Sequence, residues 1–268
     1  MTGPRSTRRS VILYLLVAFF IAQPQALAEK YASIIIDDLG NSLISGEQVL
    51  EIDAPVTIAI LPHTRFARSL AEQAHQQGNE VMLHLPLQSV EHHSPTAGTL
   101  TLHMTKSQFL SQLDANLGSI PHIKGVNNHM GSLLTQHPGH MDWLMAELSR
   151  RNNLYFVDSR TTRKSIASQF AEKHAIPHMP RDIFLDPDFR IDTISRQFER
   201  FVQRANESGF AIAIAHPHPL TLQFIQDNLK QLEDNNIKLV AVSELINKKQ
   251  TRENMNNVAS TGTSGPGL

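Results

Sequence analysis

The sequence contains no cysteine, which excludes a disulfide framework and chemistry based on a thiolate. It also lacks any run of basic residues that could follow a phosphate backbone. The 24 Lys and Arg, less the three Arg within residues 1–28, leave 21 against 25 Asp and Glu, a net charge of −4 beyond residue 28. We therefore expect no nucleic-acid partner. No glycine-rich phosphate loop follows the first apolar segment, which disfavours a nucleotide-binding fold.

The N-terminus has the three parts of a secretory signal peptide. Three Arg precede a 12-residue apolar run, 11–22, and a small-residue Ala-Leu-Ala pattern ends at Ala28. The apolar run is short for a membrane span, which needs about 20 residues, and an uncleaved anchor is the alternative. We expect residues 1–28 to be removed and the remainder to be exported to the periplasm or another extracytoplasmic compartment, with no stable membrane span.

Beyond residue 28, apolar β-rich segments alternate with segments of helical periodicity. Several of the β-rich segments are continuous Ile and Val runs, which are typical of parallel strands covered on both faces. The predicted strands are 32–36, 56–60, 80–84, 124–127, 154–157, 176–179, 211–215 and 238–242. About eight βα units predict an α/β fold built as a closed or nearly closed (β/α) barrel. A doubly wound open sheet is the alternative.

The two ends of the predicted domain differ in composition from the part between them. Residues 29–247 hold all the predicted strands and form the barrel domain. Residues 248–268 are polar and rich in small residues, which predicts a disordered C-terminal tail.

Nearly every predicted strand ends in an acid, an amide or an imidazole, and the opposite strand ends show no such pattern. In a (β/α) barrel the carboxyl ends of the strands meet at one face, where catalytic residues lie. The residues at these ends are Asp37, Asp38, His63, His84, Asn127, Asn128, His129, Asp158, Ser159, Arg160, Arg181, Asp182, His216 and His218. This recurrence is the main sequence evidence for an enzyme.

One carboxylate and two imidazoles from separate strand ends form a common site for a divalent metal. Zinc takes His and Asp ligands at about 2.0–2.2 Å and keeps room for water in catalytic sites. It lowers the pKa of that water toward about 7, and a second carboxylate can take the proton. The pattern therefore predicts metal-assisted hydrolysis. The alternative for each residue is structural, such as a helix cap for Asp37 or a buried core histidine for His84.

Five runs carry a family resemblance. "IIIDDLG", "GNEVMLHLPLQ", "GVNNHMGS", "YFVDSRTT" and "IAIAHPHP", in this order, resemble the divergent polysaccharide deacetylases, which are relatives of the NodB-type carbohydrate esterases. The likeness covers roughly residues 31–246. It implies a distorted (β/α) barrel of seven to eight mostly parallel strands. It also implies an acetylated envelope glycan as the partner and a divalent metal, most simply Zn²⁺, as the cofactor.

The resemblance implies roles for individual residues. In the wider family, the first Asp of a paired motif is the general base and the second binds the metal. Carried over, Asp37 is the base and Asp38 a ligand, with His84 a second ligand. The late family histidine, a general acid or oxyanion stabiliser, matches His216, with His218 as its rival.

The sequence departs from the family pattern at two places. Gln88 stands where the family has a further metal-binding histidine, so we expect His129 to supply the third ligand. The usual Arg-Pro-Gly segment is replaced by "NNHMGS", so Arg160 becomes the candidate for the arginine that orients the base. The further candidates for substrate binding or orientation are Asn128, Asp158 and His218.

These observations give a leading hypothesis and two alternatives. The first is an exported metal-dependent hydrolase that removes acetyl groups from an envelope polysaccharide, with water attack assisted by Asp37 and His216. The second is a catalytically inactive envelope protein that uses the same barrel to bind glycan or a protein partner, which the substitution at Gln88 favours. The third is a metal hydrolase of another bond. One Trp and three Tyr offer little surface for stacking on sugars.

Overall fold

The structure is a computed structural model that describes residues 29–91, 96–151 and 153–261. The predicted signal peptide and residues 262–268 of the predicted tail lie outside the described residues. Within the described ranges, no helix is both long enough and apolar enough to cross a membrane.

Nine strands alternate with eight α-helices along the described chain. The strands are β1 Lys30–Leu39, β2 Thr57–Ile60, β3 Glu80–Leu87, β4 Ile123–Met130, β5 Tyr155–Asp158, β6 His178–Pro180, β7 Ile183–Phe184, β8 Phe210–Ala215 and β9 Ile237–Leu239. The helices are α1 Leu43–Leu50, α2 Ala67–Gln76, α3 Lys106–Ser119, α4 Pro138–Arg150, α5 Ala167–Lys173, α6 Ile191–Ser208, α7 Pro219–Asp234 and α8 Val242–Thr261.

All the strands pair in parallel, in the order β6-β5-β4-β3-β2-β1-β8-β7, with β9 added to β1. The two ends of this order, β6 and β7, are separated in the chain only by Arg181 and Asp182. The backbone N–H of Arg181 donates to β5, at Asp158, and that of Asp182 donates to β8, at Ile212. One short segment thus joins both edges of the sheet, and the prediction of a distorted (β/α) barrel is confirmed.

Side chains alternate along the strands and build two separate apolar layers. Ile34 and Ile36 on β1 belong to a large buried cluster with side chains of the surrounding helices, such as Phe109 and Phe198. Ile35, between them, belongs to a second cluster whose strand members face the barrel interior. Burial on both faces explains why these strands are continuous apolar runs.

Helix α8 contradicts the prediction that the chain is disordered from residue 248. Leu245 and Ile246 pack into the interior cluster, and the helix continues to Thr261. The Lys248 ammonium lies 4.6 Å from the ring centre of Tyr31, and the Arg252 guanidinium lies 4.3 Å from that of Phe210. The composition-based prediction failed because cations that look like a solvated tail pack on aromatic rings of the barrel. The barrel domain therefore extends beyond residue 247.

Candidate functional site

A polar layer lies above the apolar interior of the barrel, at the carboxyl ends of four strands. Each polar residue lies two positions beyond a residue that faces the interior. Because alternate residues of a strand face the same side, these polar side chains point into the space above the interior. These pairs are Ile35 and Asp37 on β1, Met82 and His84 on β3, Gly125 and Asn127 on β4, and Ile214 and His216 at the end of β8. Asp37 and His84 are only 3% and 2% exposed, and Asn127 is completely buried.

An irregularity in β1 brings the second carboxylate of the pair into the same site. β1 continues to Leu39, so the paired aspartates lie within the strand rather than beyond its predicted end at Ile36. The pairing of β1 with β2 shifts between Ile36 and Leu39, and Asp38 adopts a left-handed φ of 60°. In a regular strand Asp37 and Asp38 would point to opposite faces. The shift lets both line one cavity.

Three side chains from three elements converge on one point. Asp38 Oδ1 lies 2.9 Å from His129 Nδ1 and 3.1 Å from His84 Nε2, and the two ring nitrogens are 3.2 Å apart. Two ligands at about 2.1 Å from a zinc ion, separated by the tetrahedral angle, are about 3.4 Å apart. The triangle therefore has nearly the size that such an ion needs.

The chemistry of the three donors fits a divalent cation as well. Asp38 Oδ1 is buried. Among the described residues it has no hydrogen-bond partner, although both imidazoles lie close to it. Buried polar atoms normally have a partner, and a cation between the three donors would be that partner. One carboxylate oxygen and two imidazole nitrogens are ligands that zinc accepts, with a further position left open.

The charges at these donors depend on one another. Burial raises the pKa of Asp38, but the imidazoles of His129 and His84 outweigh it and hold the pKa well below its ordinary value. Burial lowers the pKa of His84, but the negative charges of Asp37 and Asp38 raise it to about 9. Without a metal, His84 is therefore protonated near neutral pH.

Asn127 connects the candidate metal cluster to the buried carboxylate. Its Nδ2 donates to Asp37 Oδ1 at 2.8 Å, and its Oδ1 lies 2.8 Å from His84 Nδ1. A carbonyl oxygen can only accept, so Nδ1 carries a proton, and loss of the second ring proton would free the Nε2 lone pair on the side of Asp38. Burial raises the pKa of Asp37, with His84 and His216 opposing the shift. Asn127 was expected at a strand end, and its role follows only from these contacts.

His216 faces the same cavity and is held by an aspartate that the sequence analysis missed. Asp186 Oδ1 accepts a hydrogen bond from His216 Nδ1 at 3.0 Å, and Asp186 Oδ2 accepts from the His216 backbone N–H and from Thr221 Oγ1. The other ring nitrogen, Nε2, lies 3.8 Å from Asp38 Oδ2. Burial lowers the pKa of His216, but Asp186 and Asp37 outweigh it and raise the pKa above its ordinary value.

A cavity of about 370 Å³ contains these groups. Asp37, Asp38, His84, His129 and His216 all line it. Arg160, Arg181, Phe184 and Ile214 supply further parts of its wall. The geometry therefore combines a candidate metal cluster, a buried carboxylate and an oriented imidazole in one open space.

Comparison with known proteins identifies the family. Residues 34–246 match the family model for divergent polysaccharide deacetylases. The chain belongs to this family. The uncharacterized protein YibQ of Escherichia coli K12 is 34% identical over 243 residues, which cover 91% of this chain and 75% of that protein.

Solved structures share the fold of this chain. The uncharacterized protein ATU2773 of Agrobacterium tumefaciens C58 has a TM-score of 0.78 at 21% identity, covering 82% of this chain and 90% of that one. Peptidoglycan deacetylase PdaC of Bacillus subtilis (mutant D285S) has a TM-score of 0.52 at 16% identity, covering 87% and 97%. A mutant of BA3943 from Bacillus anthracis, a CE4 family pseudoenzyme with restored enzymatic activity, reaches 0.50 at 14% identity, covering 81% and 68%. The fold alone thus does not decide activity.

Gln88, which stands where the resemblance implied a further metal-binding histidine, has a structural role. Its side-chain Oε1 accepts a hydrogen bond from the Leu102 backbone N–H at 2.8 Å. Its backbone N–H donates to Leu100, and its carbonyl accepts from Leu133 and Leu134. Gln88 therefore ties the segment after β3 to two neighbouring loops, and the third donor of the metal cluster comes from His129.

The remaining candidate residues of this deacetylase-family chain hold loops or rings in place. Asn128 accepts from the Ser159 backbone N–H and donates to the Met130 carbonyl. Asp158 is buried and fixes the loop that follows β5. His218 lies at the start of α7 and stacks on Phe189, with ring centres 4.9 Å apart.

Arg160 is not the residue that orients Asp37. Among the described residues, Asn127 makes the side-chain hydrogen bond to that carboxylate. The Arg160 side chain lines the cavity, and within the described part of the chain it makes neither a hydrogen bond nor an ion pair. The expectation that Arg160 replaces the family arginine is therefore corrected, because its guanidinium is not engaged with the base.

Proposed function

We propose that this chain is an exported, metal-dependent hydrolase that removes acetyl groups from an envelope polysaccharide. The observation that carries the proposal is the cluster of Asp38, His84 and His129, which shares one cavity with Asp37 and with His216. Membership in the divergent polysaccharide deacetylase family supports an acetylated glycan as the substrate. The signal-peptide pattern of residues 1–28 supports export.

Asp38 Oδ1, His84 Nε2 and His129 Nδ1 are the atoms that would hold the metal, and Zn²⁺ suits this donor set. When bound there, a divalent metal supplies a Lewis acid that polarises a carbonyl oxygen and makes water more acidic. Asn127 holds His84 in the tautomer that leaves Nε2 free to coordinate.

Asp37 is placed to act as the general base. Its Oδ1 accepts from Asn127, which leaves Oδ2 to take the proton of a water in the cavity. Because burial raises the pKa of Asp37, the carboxylate is a stronger base than an exposed aspartate. The hydrogen bond from Asn127 also holds the carboxylate in one orientation toward the cavity, which lowers the entropic cost of proton transfer.

His216 is placed to act as the general acid. Asp186 holds Nδ1, so Nε2 faces the cavity and can donate a proton to the leaving group or to the developing oxyanion. Burial lowers the pKa of His216, but Asp186 outweighs it and raises the pKa, which favours the imidazolium form that a general acid needs. A base and an acid thus face the same space from β1 and β8.

Acetate release from acetylated glycans, measured together with the metal content of the purified protein, tests the proposal. We expect turnover that a chelator abolishes, and a loss of about 10²-fold or more in Asp37→Asn. Asp182→Asn is the control, because that carboxylate binds Arg204 and the Ile212 backbone outside the cavity. Full activity in Asp37→Asn would refute the mechanism. Cell fractionation of the full-length chain and of a chain lacking residues 2–28 tests export.

The second candidate is a non-catalytic envelope protein that binds glycan or a protein partner through the same barrel. Gln88 favours it, since this side chain accepts a hydrogen bond from the Leu102 backbone N–H where the resemblance implied a metal-binding histidine. This candidate predicts saccharide binding without acetate release. It also predicts that Asp37→Asn leaves that binding unchanged.

A further inference from the structure

Arg160 presents an unused positive charge to the cavity. Its side chain lines the cavity and has no carboxylate partner among the described residues. Arg163 and Lys164, exposed a few residues further on, likewise form no ion pair within the described ranges. The chain beyond residue 28 carries a net charge of −4. This loop therefore has a local positive charge within a chain whose net charge is negative.

The loop that carries Arg160, residues 158–165 (the Arg160 loop), is held by hydrogen bonds at both ends. Asp158 accepts from the Arg160 backbone N–H at 2.9 Å and from Ser165 Oγ at 2.8 Å. Between these points, Thr161 Oγ1 donates to the Met130 carbonyl at 2.9 Å. The guanidinium therefore projects from a fixed backbone and not from a loosely held surface loop.

A second arginine fixes the same loop from the segment that closes the barrel. Arg181 Nε donates to the Ser159 carbonyl at 2.7 Å, and Arg181 Nη2 donates to the Arg160 carbonyl at 3.1 Å. Arg160 itself has a left-handed φ of 49°, a conformation that is costly for a side chain of this size. Such conformations persist when the surroundings impose them, and they concentrate at ligand-binding positions.

The charge of the cavity defines what this arrangement can bind. Asp37 and Asp38 are balanced by the divalent cation that their cluster fits, and Arg181 lies near the carboxylates of Asp158 and Asp182. This leaves Arg160 as the cation of the cavity wall without a carboxylate partner within the described residues. A guanidinium matches carboxylate and phosphate groups with two parallel hydrogen bonds. Arg181 uses two of its donors on backbone carbonyls, so Arg160 has the larger number of free donors.

We propose that the Arg160 loop is a preformed anion-recognition element, and that the saccharide taken by this cavity carries a carboxylate or phosphate group near its acetylated position. The inference rests on the proposed function in that it concerns the substrate of the same cavity. Arg160 makes the contact, and Arg163 and Lys164 extend the positive rim for further acidic units of a chain.

Binding is measured separately from turnover. Calorimetric titration of the metal-loaded Asp37→Asn protein uses three acetylated oligosaccharides of equal length: a neutral hexose oligomer, an oligouronide and a phosphorylated hexose oligomer. Each is repeated in the Arg160→Ala, Arg160→Lys and Lys230→Ala backgrounds, at low and high salt. Lys230 is the control, because it is an exposed cation on α7 outside the cavity.

We expect one of the two anionic oligomers to bind more tightly than the neutral one. Arg160→Ala should weaken that binding by about 10- to 100-fold while leaving the neutral oligomer unaffected. Arg160→Lys should recover part of the loss, since an ammonium keeps the charge but not the paired hydrogen bonds. Lys230→Ala should change neither. The anionic oligomer that depends on Arg160 identifies the carboxylate or the phosphate as the recognised group.

The possible failures are distinguishable. Equal affinity for neutral and anionic oligomers, no binding of any of them, or an equal loss for all three in Arg160→Ala overturns anion recognition, even where the wild-type chain releases acetate. If Arg160-dependent binding of an anionic oligomer occurs but the wild-type chain releases no acetate, the hydrolase proposal fails and anion recognition stands.

Discussion

Replacing Asn127 by leucine should weaken metal binding without removing any metal ligand. The side chain is completely buried between Asp37 and His84, and leucine has a similar size but no polar atoms. His84 Nδ1 and Asp37 Oδ1 are 3.6 Å apart. Without the amide between them they can approach each other directly, which turns His84 Nε2 away from Asp38 and His129. The ring also loses the partner that fixes its tautomer.

The structure sets the size of both effects. Two buried polar groups lose their amide partner at a cost of about 1–3 kcal/mol for each group. A direct contact between them restores part of this, so the free energy of unfolding should fall toward the lower end of about 2–6 kcal/mol. Loss of a residue that orients a metal-binding histidine typically costs about 10- to 100-fold in metal affinity. Calorimetric titration of the chelator-treated protein with Zn²⁺ measures the second effect, and urea unfolding measures the first.

Asn116→Leu separates the two effects. Asn116 is also completely buried, and it contacts His63 Nε2, the Gly98 carbonyl and Gln112 through its amide, none of which lines the cavity. Its replacement should lower stability by a comparable amount and leave zinc affinity unchanged. If Asn127→Leu binds zinc within about threefold of the wild-type value, against the 10- to 100-fold expected, the reasoning about His84 is wrong.

Three further predictions concern other parts of the chain. Asp186→Asn should lower kcat for acetate release by about 10²–10⁴-fold with little change in KM, because an amide lacks the negative charge that orients and stabilises the His216 imidazolium; a kcat equal to that of Asp182→Asn would contradict this. Burial raises the pKa of Tyr155 well above 10, with the charge of Glu80 adding to it, so its stabilising effect is complete below about pH 10 and disappears as the pH rises toward the folded-state pKa. Urea midpoints measured from pH 8 to 11 should therefore fall less steeply at the alkaline end in Tyr155→Phe, and an unchanged slope would count against the assignment. Ending the chain after Asn247 should lower the free energy of unfolding by about 1–2 kcal/mol, from two lost cation–π contacts; an unchanged urea midpoint would show that residues 248–268 contribute nothing.

The strand pattern predicted the fold because burial on both faces leaves a local trace. Continuous apolar runs such as Ile34–Ile36 occur where a strand lies between the barrel interior and a helix layer, and this needs no knowledge of distant partners. The shortest strand, β7, was not predicted because it has no such local pattern. β7 has only two residues, Ile183 and Phe184, and it exists because β8 offers free hydrogen-bonding groups at the closing edge of the barrel.

The site likewise contains residues that a local sequence pattern predicts and residues that only distant contacts reveal. Asp37, Asp38, His84, His129 and His216 were identified because each follows an apolar strand in the sequence. Their roles remain predictions, but the structure places all of them in one cavity. Asp186 could not be found in this way, since it follows the unrecognised β7 and gains its meaning only from its contact with His216.

The sequence by itself determined a parallel (β/α) barrel with its polar residues at one end, because strand burial and strand ends are properties of local segments. Only the tertiary structure decided how those residues are arranged in space. A shift in the pairing of β1 turns Asp38 toward His84 and His129, while Asn127 holds Asp37 beside them. Only the tertiary structure showed that residues 248–261, expected to be a disordered tail, form part of a helix. Register shifts and contacts between distant segments depend on the neighbouring strands, and no short stretch of sequence records them.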